Sequence, residues 1–491
     1  MKKISLLLSS LFVGSLALAQ TTTLYYVWEN PWTDNELDNL ESWSTSSEEK
    51  IKPTVLWDNN TAIEVDFANG TFFSRLNIPT AIPFDVYSFN SSVGIDFWVR
   101  NSISTVGDFN VSTAVHDGGY DPISGNDGKQ KQLRFALSKN DFLTVGGNMT
   151  LSTDGIFVTR FERTLWASAS DKITLRVKGR LSLNHDGMAG YHVFDMAGKD
   201  SNQSSPMEVV LGGLSTSGNG AYMTTAPSTK IEDSYKYSTS FVFQNNDKSE
   251  FAGGSFTGVF ATESDVSSEV DFTMNGSGTQ SIKIYKAANG AACGLGDFAS
   301  KKDMTITTLN VLNGVMNFDT EIEIQTSISV SGGRLNLTSS ANLCDIEVSG
   351  GYLNLAASAD VSAVRLIAGM LELNSSGTIN MLNIEGGDIV FGDTASVQSF
   401  NVFADNVGVY FDAEDLASNQ LTILEFEESE ISAEADTVFT ALDSNGNELG
   451  GKFEVVDNKL VYFTAAVPEP ATMAGILGAL ALALVAYRRR K

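Results

Sequence analysis

Histidine, cysteine, proline and basic side chains are all scarce in this chain, and each scarcity closes off a class of function. Three histidines (His116, His185, His192) leave little for imidazole-based metal or acid–base chemistry. The sequence has no H-E-x-x-H, no G-x-S-x-G and no cysteine spacing of the metal-binding type. Two cysteines, Cys293 and Cys344, cannot build a disulfide framework. A single bridge between them stays open but is not expected, because the repeat alignment below puts Cys344 at a turn. Nine prolines against 43 glycines argue against a disordered, proline-rich chain and for many short strands joined by turns. Only 32 Lys and Arg face 59 Asp and Glu, a net charge of −27. Setting aside Lys2, Lys3, Glu469, Arg488, Arg489, Arg490 and Lys491 leaves 26 basic and 58 acidic residues, a net of −32. Such a body repels nucleic acid and anionic lipid; its charge suits cation binding or solubility, of which solubility is the expected reason.

The two ends read as addresses. Met1-Lys2-Lys3 is followed by an apolar run from Ile4 to Leu18 and an A-x-A site, Ala17-Leu18-Ala19, before Gln20. That order is a secretory signal peptide over residues 1–19, with cleavage expected between Ala19 and Gln20. At the other end stands Val467-Pro468-Glu469-Pro470, an uncharged segment over 471–487, and then Arg488-Arg489-Arg490-Lys491. As a helix the uncharged segment is roughly 25 Å long, just enough for a bilayer core. Pro468 and Pro470 mark its start, and the basic cluster is expected to stay cytoplasmic.

The body between is a repeat. Gly333, Gly351, Gly369 and Gly387 are 18 residues apart. Counting each coil from its glycine, column three reads Leu335, Leu353, Leu371, Ile389 and column five Leu337, Leu355, Leu373, Phe391. Column nine is small (Ala341, Ala359, Gly377, Ala395) and column eleven apolar (Leu343, Val361, Ile379, Val397). Columns fourteen and sixteen are Ile346, Val364, Leu382, Phe400 and Val348, Leu366, Ile384, Val402. Pairs at i and i+2 mean strands, so the expectation is three short strands per coil, each with two side chains inward. Stacked coils make an all-β solenoid. A leucine-rich repeat needs a longer unit with a helical half. The step from column eleven to sixteen breaks the six-residue spacing of left-handed hexapeptide helices, so a right-handed parallel β-helix is expected.

Upstream, Val106-Gly107, Val145-Gly146-Gly147 and Val177-Lys178-Gly179 each introduce an alternating strand. They imply longer coils with loop excursions, the largest at Asp117–Lys129 and Asn184–Ser205. The expected divisions are an N-terminal cap over 20–55, an irregular solenoid over 56–300, a regular one over 301–424 and a hairpin cap with linker over 425–466. The last contains Asn445-Gly446, a hairpin turn signal, and three expected antiparallel strands, Val438–Leu442, Lys452–Val456 and Lys459–Phe463.

Candidate chemistry is thin. His185-Asp186 and His192 with Asp195 share one expected loop, and are read as packing or surface residues. Asp117-Gly118-Gly119-Tyr120-Asp121 offers hard oxygens for Ca²⁺, and Asp443-x-Asn445-x-Asn447 begins like an EF-hand loop but has Glu448 at the glycine position. The run Glu425, Glu427, Glu428, Glu430, Glu434, Asp436 reads as a solvated face, and Arg334 and Arg365 as isolated cations. No catalytic residue, metal ligand or cofactor is assigned.

The tail resembles the PEP-CTERM sorting signal of Gram-negative bacteria. Val467-Pro468-Glu469-Pro470 matches the family's box, 471–487 its span and Arg488-Arg489-Arg490 its basic end. The resemblance implies recognition by an exosortase, brief anchoring in the inner membrane through the C-terminal helix, and delivery to the cell surface or extracellular matrix. More loosely, the glycine-cornered coils and the tryptophans at 28, 32, 43 and 57 are similar to autotransporter passengers and filamentous-haemagglutinin-like repeats. That similarity implies a structural, adhesin-like protein with an extracellular polysaccharide as a candidate partner. The alternative is a secreted β-helix polysaccharide lyase or glycoside hydrolase.

Overall fold

In the regular region every coil delivers one straight strand and one bent strand, and neighbouring coils pair in register and in parallel. The computed structural model describes residues 22–464 except for internal segments, the longest being 114–131, 225–235 and 197–205, followed by 27–34, 66–73, 164–171 and 245–252. One parallel ladder starts at Thr22–Tyr26 and runs through Thr61–Val65, Ser88–Ser91 and Phe109–Thr113 to Gln420–Ile431. A second starts at Asn35–Glu36 and ends at Phe439–Asp443. The protein is thus all-β, a β-helix-like stack of repeated parallel strands.

Register follows from the aliphatic columns. Leu335, Leu353, Leu371 and Ile389 lie on successive strands, aligned across the ladder and all fully buried. A one-residue slip would turn each of these columns to solvent. At about 1.5–3 kcal/mol per large side chain, burial dominates that choice.

Three expectations need correction here. The coil has two strands, not three: in Leu343–Val348 the buried positions are Leu343, Ile346 and Val348, so the phase switches at Cys344-Asp345. The strand bends there and carries columns eleven, fourteen and sixteen by itself. Cys344 therefore lies within a strand rather than at a turn. Column seven, unassigned by pattern, is also inward: Thr320, Ser339, Ala357 and Ser375 are buried. The hydroxyl of Thr320 accepts from the Ile322 amide (3.0 Å) and donates to the Ile322 carbonyl (2.9 Å). Ser339 does the same for Ala341. A small hydroxyl here satisfies the backbone of the corner that follows.

The corner glycines are required. Gly314, Gly333, Gly351, Gly369 and Gly387 all have φ between 66° and 88°. A Cβ on Gly351 would sit 2.5 Å from the carbonyl oxygen of Gly333 in the coil before.

The upstream coils have a wider section. A short third ladder, Phe84–Val86, Ile103–Thr105 and Phe142–Val145, joins the first half of the 13-residue strand Ile173–His185, whose second half pairs with Met149–Thr153. Their core is aromatic, with Phe89 stacked on Phe109 (4.8 Å) and Phe135 on Phe161 (5.2 Å). Where the section narrows, the buried Gln280 amide substitutes for a peptide: its oxygen accepts from Leu214 N–H (2.9 Å) and its nitrogen donates to Leu214 carbonyl (2.9 Å).

Both expected caps are shorter than anticipated. Thr22–Tyr26 is already a parallel member of the stack, and among the described residues only Trp43–Ser44 pairs with it antiparallel. Trp57 is buried, whereas Trp28 and Trp32 lie outside the described residues. At the far end Phe439–Asp443 is one more parallel strand, not part of an antiparallel cap. The antiparallel hairpin is Gly451–Val456 with Lys459–Thr464, which pairs onto Gln420–Ile431. It turns at Asp457-Asn458, both at positive φ (49° and 60°), the geometry of a two-residue hairpin. Asn445-Gly446 instead makes the tight turn between Leu442 and Glu448. Phe453 and Tyr462 of the hairpin pack on Phe411 and Phe439, closing the apolar end.

Candidate functional site

The expected signal peptide with Ala17, Ala19 and Gln20, and the expected sorting tail with Val467, Pro468, Glu469, Pro470, Arg488, Arg489 and Arg490, lie outside the described residues, as does the expected span 471–487. Among the described residues no helix is long and apolar enough to cross a membrane. The Asp117–Lys129 loop and His116 are likewise outside them.

The histidines of the middle region do not share a loop. His185 ends the strand Ile173–His185, and His192 and Asp195 bound the strand His192–Asp195. All three are buried, at 2–3% exposure. His192 Nε2 lies 2.7 Å from the Asn184 carbonyl, so Nε2 carries the proton and donates it. Desolvation, opposed by that hydrogen bond and reinforced by the neighbouring His185, holds the His192 pKa down at about 4. A neutral ring edge-on to Phe157 (5.6 Å) is a packing group.

The outer face of the same sheet is covered as well. The short 3₁₀ helix Ala287–Cys293 and the segment after it bring Ala287, Leu295 and Phe298 onto Val158, Tyr191, Val193, Tyr222, Val259 and Ala261. The Cys293 thiol is pushed up by burial, and that of Cys344 rises to about 11 for the same reason. Both thiols are free. Neither is a ready thiolate nucleophile.

The exposed surface of the stack is laddered. Asn336 donates to Asn317 (2.6 Å), Asn374 to Asn354 (3.2 Å) and Asn401 to Asn383 (2.9 Å), each across successive coils. Upstream, Asn110 donates to Asn90 (2.9 Å), which donates to Glu64 (2.7 Å). The two arginines expected to be isolated are not. Arg365 bridges Glu347 (3.0 Å) in the coil before and Glu385 (2.8 Å) in the coil after. Arg334 lies over the Tyr352 ring at 4.1 Å and 4.0 Å from Glu372, which accepts the Tyr352 hydroxyl. Partial burial and that carboxylate raise the Tyr352 pKa to about 12. These exposed pairs stabilise little individually.

Asp443 is used locally. Its carboxylate accepts from the Asn445 and Asn447 amides, both at 2.8 Å, and from the Asn447 side chain, which holds its pKa down. The EF-hand-like start is thus an Asx-type turn. Among the described residues no group of three His, Cys, Asp or Glu is placed to hold a metal ion. Comparison with protein-family models, curated proteins and solved structures finds no match.

Proposed function

We propose that this chain is an exported structural protein of the bacterial surface or extracellular matrix, adhesin-like in its display of a long polar rod. In this reading the signal peptide starts export, an exosortase recognises the Val467–Pro470 box, and the 471–487 helix with its Arg488–Arg490 stop holds the protein in the inner membrane until then. A right-handed coil is part of the same reading. The observation that supports it best is the surface just described, in which amide ladders and cross-coil ion pairs repeat along an unbroken parallel stack. Polar pairs that join successive coils on both ladders suit a scaffold, because a stack held together coil by coil presents a polar surface along its length. The lyase or hydrolase alternative finds no favouring arrangement among the residues described above.

Fractionation tests the address. Full-length protein should be found in the membrane of cells without an exosortase and at the surface of cells that have one. C-terminal mass spectrometry should then show loss of the segment after Pro470. Surface delivery unaffected by deleting residues 467–491 would refute the sorting role. Incubation with a polysaccharide panel tests the scaffold role, and any chain cleavage would refute it.

A further inference from the structure

Two rows of unpaired charge of opposite sign stand out on the stack. The first is basic. In Ile173–His185 the outward alternate positions include Arg176, Lys178 and Arg180, three consecutive cations on a body that is otherwise strongly acidic. Arg176 and Lys178 are exposed, and among the described residues neither has an ion-pair or hydrogen-bond partner. Lys172 just before them is neutralised by Glu208 at 2.6 Å. Arg180 is held down, its Nε donating to the Gly253 carbonyl (2.9 Å) and its amide to Asn148 (2.9 Å). The backbone beside the row is glycine-rich: a Cβ on Gly146, Gly147, Gly179 or Gly212 would lie within 3 Å of atoms in a neighbouring coil.

The second row is acidic and belongs to the last strand of the same ladder. In Gln420–Ile431, Glu425, Glu427, Glu428 and Glu430 are exposed. Glu425 is paired with Lys459, but the carboxylates of Glu428 and Glu430 have no partner among the described residues. The hairpin strand covers only Gln420–Glu425, so the outer edge beyond the Asn458 contact to Glu427 is uncovered by any described strand. An uncovered strand edge with charged side chains resists indiscriminate pairing, yet offers a selective partner a defined row.

The two rows match in pitch as well as sign. Arg176 to Lys178 and Glu428 to Glu430 are both i, i+2 steps along a strand, about 6.7 Å each. We propose that a second copy of this chain is the occupant: the Glu428–Glu430 end of one molecule docks on the Arg176–Lys178 row of the other. Register carries Arg176 and Glu430 in one outward column of the same ladder, so two copies laid face to face and antiparallel make both contacts at once and close as a two-fold dimer. Overall like charge opposes it, but at physiological salt a Debye length of about 8 Å confines that repulsion to nearby surfaces. This inference stands apart from the sorting proposal, since it needs only the stack.

Sedimentation velocity of the full chain in non-ionic detergent tests it. At about 0.15 M salt the wild type should associate with rising concentration, and at about 1 M salt it should dissociate. R176E/K178E and E428K/E430K should each weaken association on the order of tenfold or more, while circular dichroism remains that of the wild type. An equimolar mixture of the two variants restores complementary rows and should associate again. A wild type that stays monomeric to about 100 µM overturns the proposal. So does a mixture no better than either variant alone. Retention of the monomeric wild type on a polyuronate resin, lost in R176E/K178E, would assign the basic row to an anionic glycan and equally overturn it. If a reversal variant misfolds, R176Q/K178Q and E428Q/E430Q must weaken association, or the proposal fails.

Discussion

Alanine at position 351 measures how much the stacked corner contributes, because the geometry separates two costs. The first is conformational: Gly351 has φ of 70°, where a Cβ adds about 1–2 kcal/mol. The second is steric: the new carbon would lie 2.5 Å from the Gly333 oxygen and 2.7 Å from the Gly332 carbonyl carbon, both backbone atoms of the preceding coil. Forcing such a coil apart adds about 1–3 kcal/mol, so Gly351→Ala should cost roughly 2–5 kcal/mol. Gly446 is the control. Its φ is 80°, but its nearest neighbour is the Tyr410 hydroxyl at 3.9 Å, so Gly446→Ala should cost only about 1–2 kcal/mol. Asparagine tolerates positive φ, so it should be nearly neutral at 446 and still costly at 351. Urea unfolding gives the difference, and hydrogen exchange locates it, since damage in a stack is local to adjoining coils. Equal costs at 351 and 446, within about 0.5 kcal/mol, would refute the stacked-corner argument.

Three other perturbations address the interior. His192, with its pKa near 4 in the fold against an ordinary 6.5, binds its proton more tightly when unfolded. Its contribution is therefore intact above pH 6.5 and is lost as pH falls towards 4, about 3 kcal/mol in all, and exchange of the 173–196 amides should follow that window. The slope should vanish in His192→Phe. Thr320→Val removes the hydroxyl that both accepts from and donates to Ile322, which should lower stability by about 1–3 kcal/mol in denaturant unfolding. Gln280→Leu leaves both the amide and the carbonyl of Leu214 unsatisfied, so a loss of about 2–6 kcal/mol and faster exchange at Leu214 are expected.

The chemistry of the surface was only partly legible in the chain. Arg365 looked solitary because its partners, Glu347 and Glu385, stand 18 and 20 residues away and become neighbours only when coils stack. The same holds for Arg334, Tyr352 and Glu372. His185 and His192, read as packing or surface residues on one loop, are buried and lie on two strands. A run such as His192–Asp195 with all four residues buried has no two-residue alternation to betray it, since both faces of the sheet are covered there. The Arg176, Lys178, Arg180 alternation was visible as letters. Its meaning depended on finding no carboxylate paired with Arg176 or Lys178 among the described residues.

By itself the sequence determined the 18-residue period, the inward aliphatic columns and the corner glycines, because burial and backbone sterics act on each coil alike and leave a periodic trace. The tertiary structure alone decided where the second strand bends, that Ser and Thr of column seven point inward, and that Phe439–Asp443 joins the stack in parallel. It also decided that Asp457-Asn458 turns the closing hairpin. The parallel pairing of Phe439–Asp443 rests on a strand distant along the chain and the column-seven hydroxyls on bonds two residues away, and apolar periodicity does not record who accepts a bond from whom.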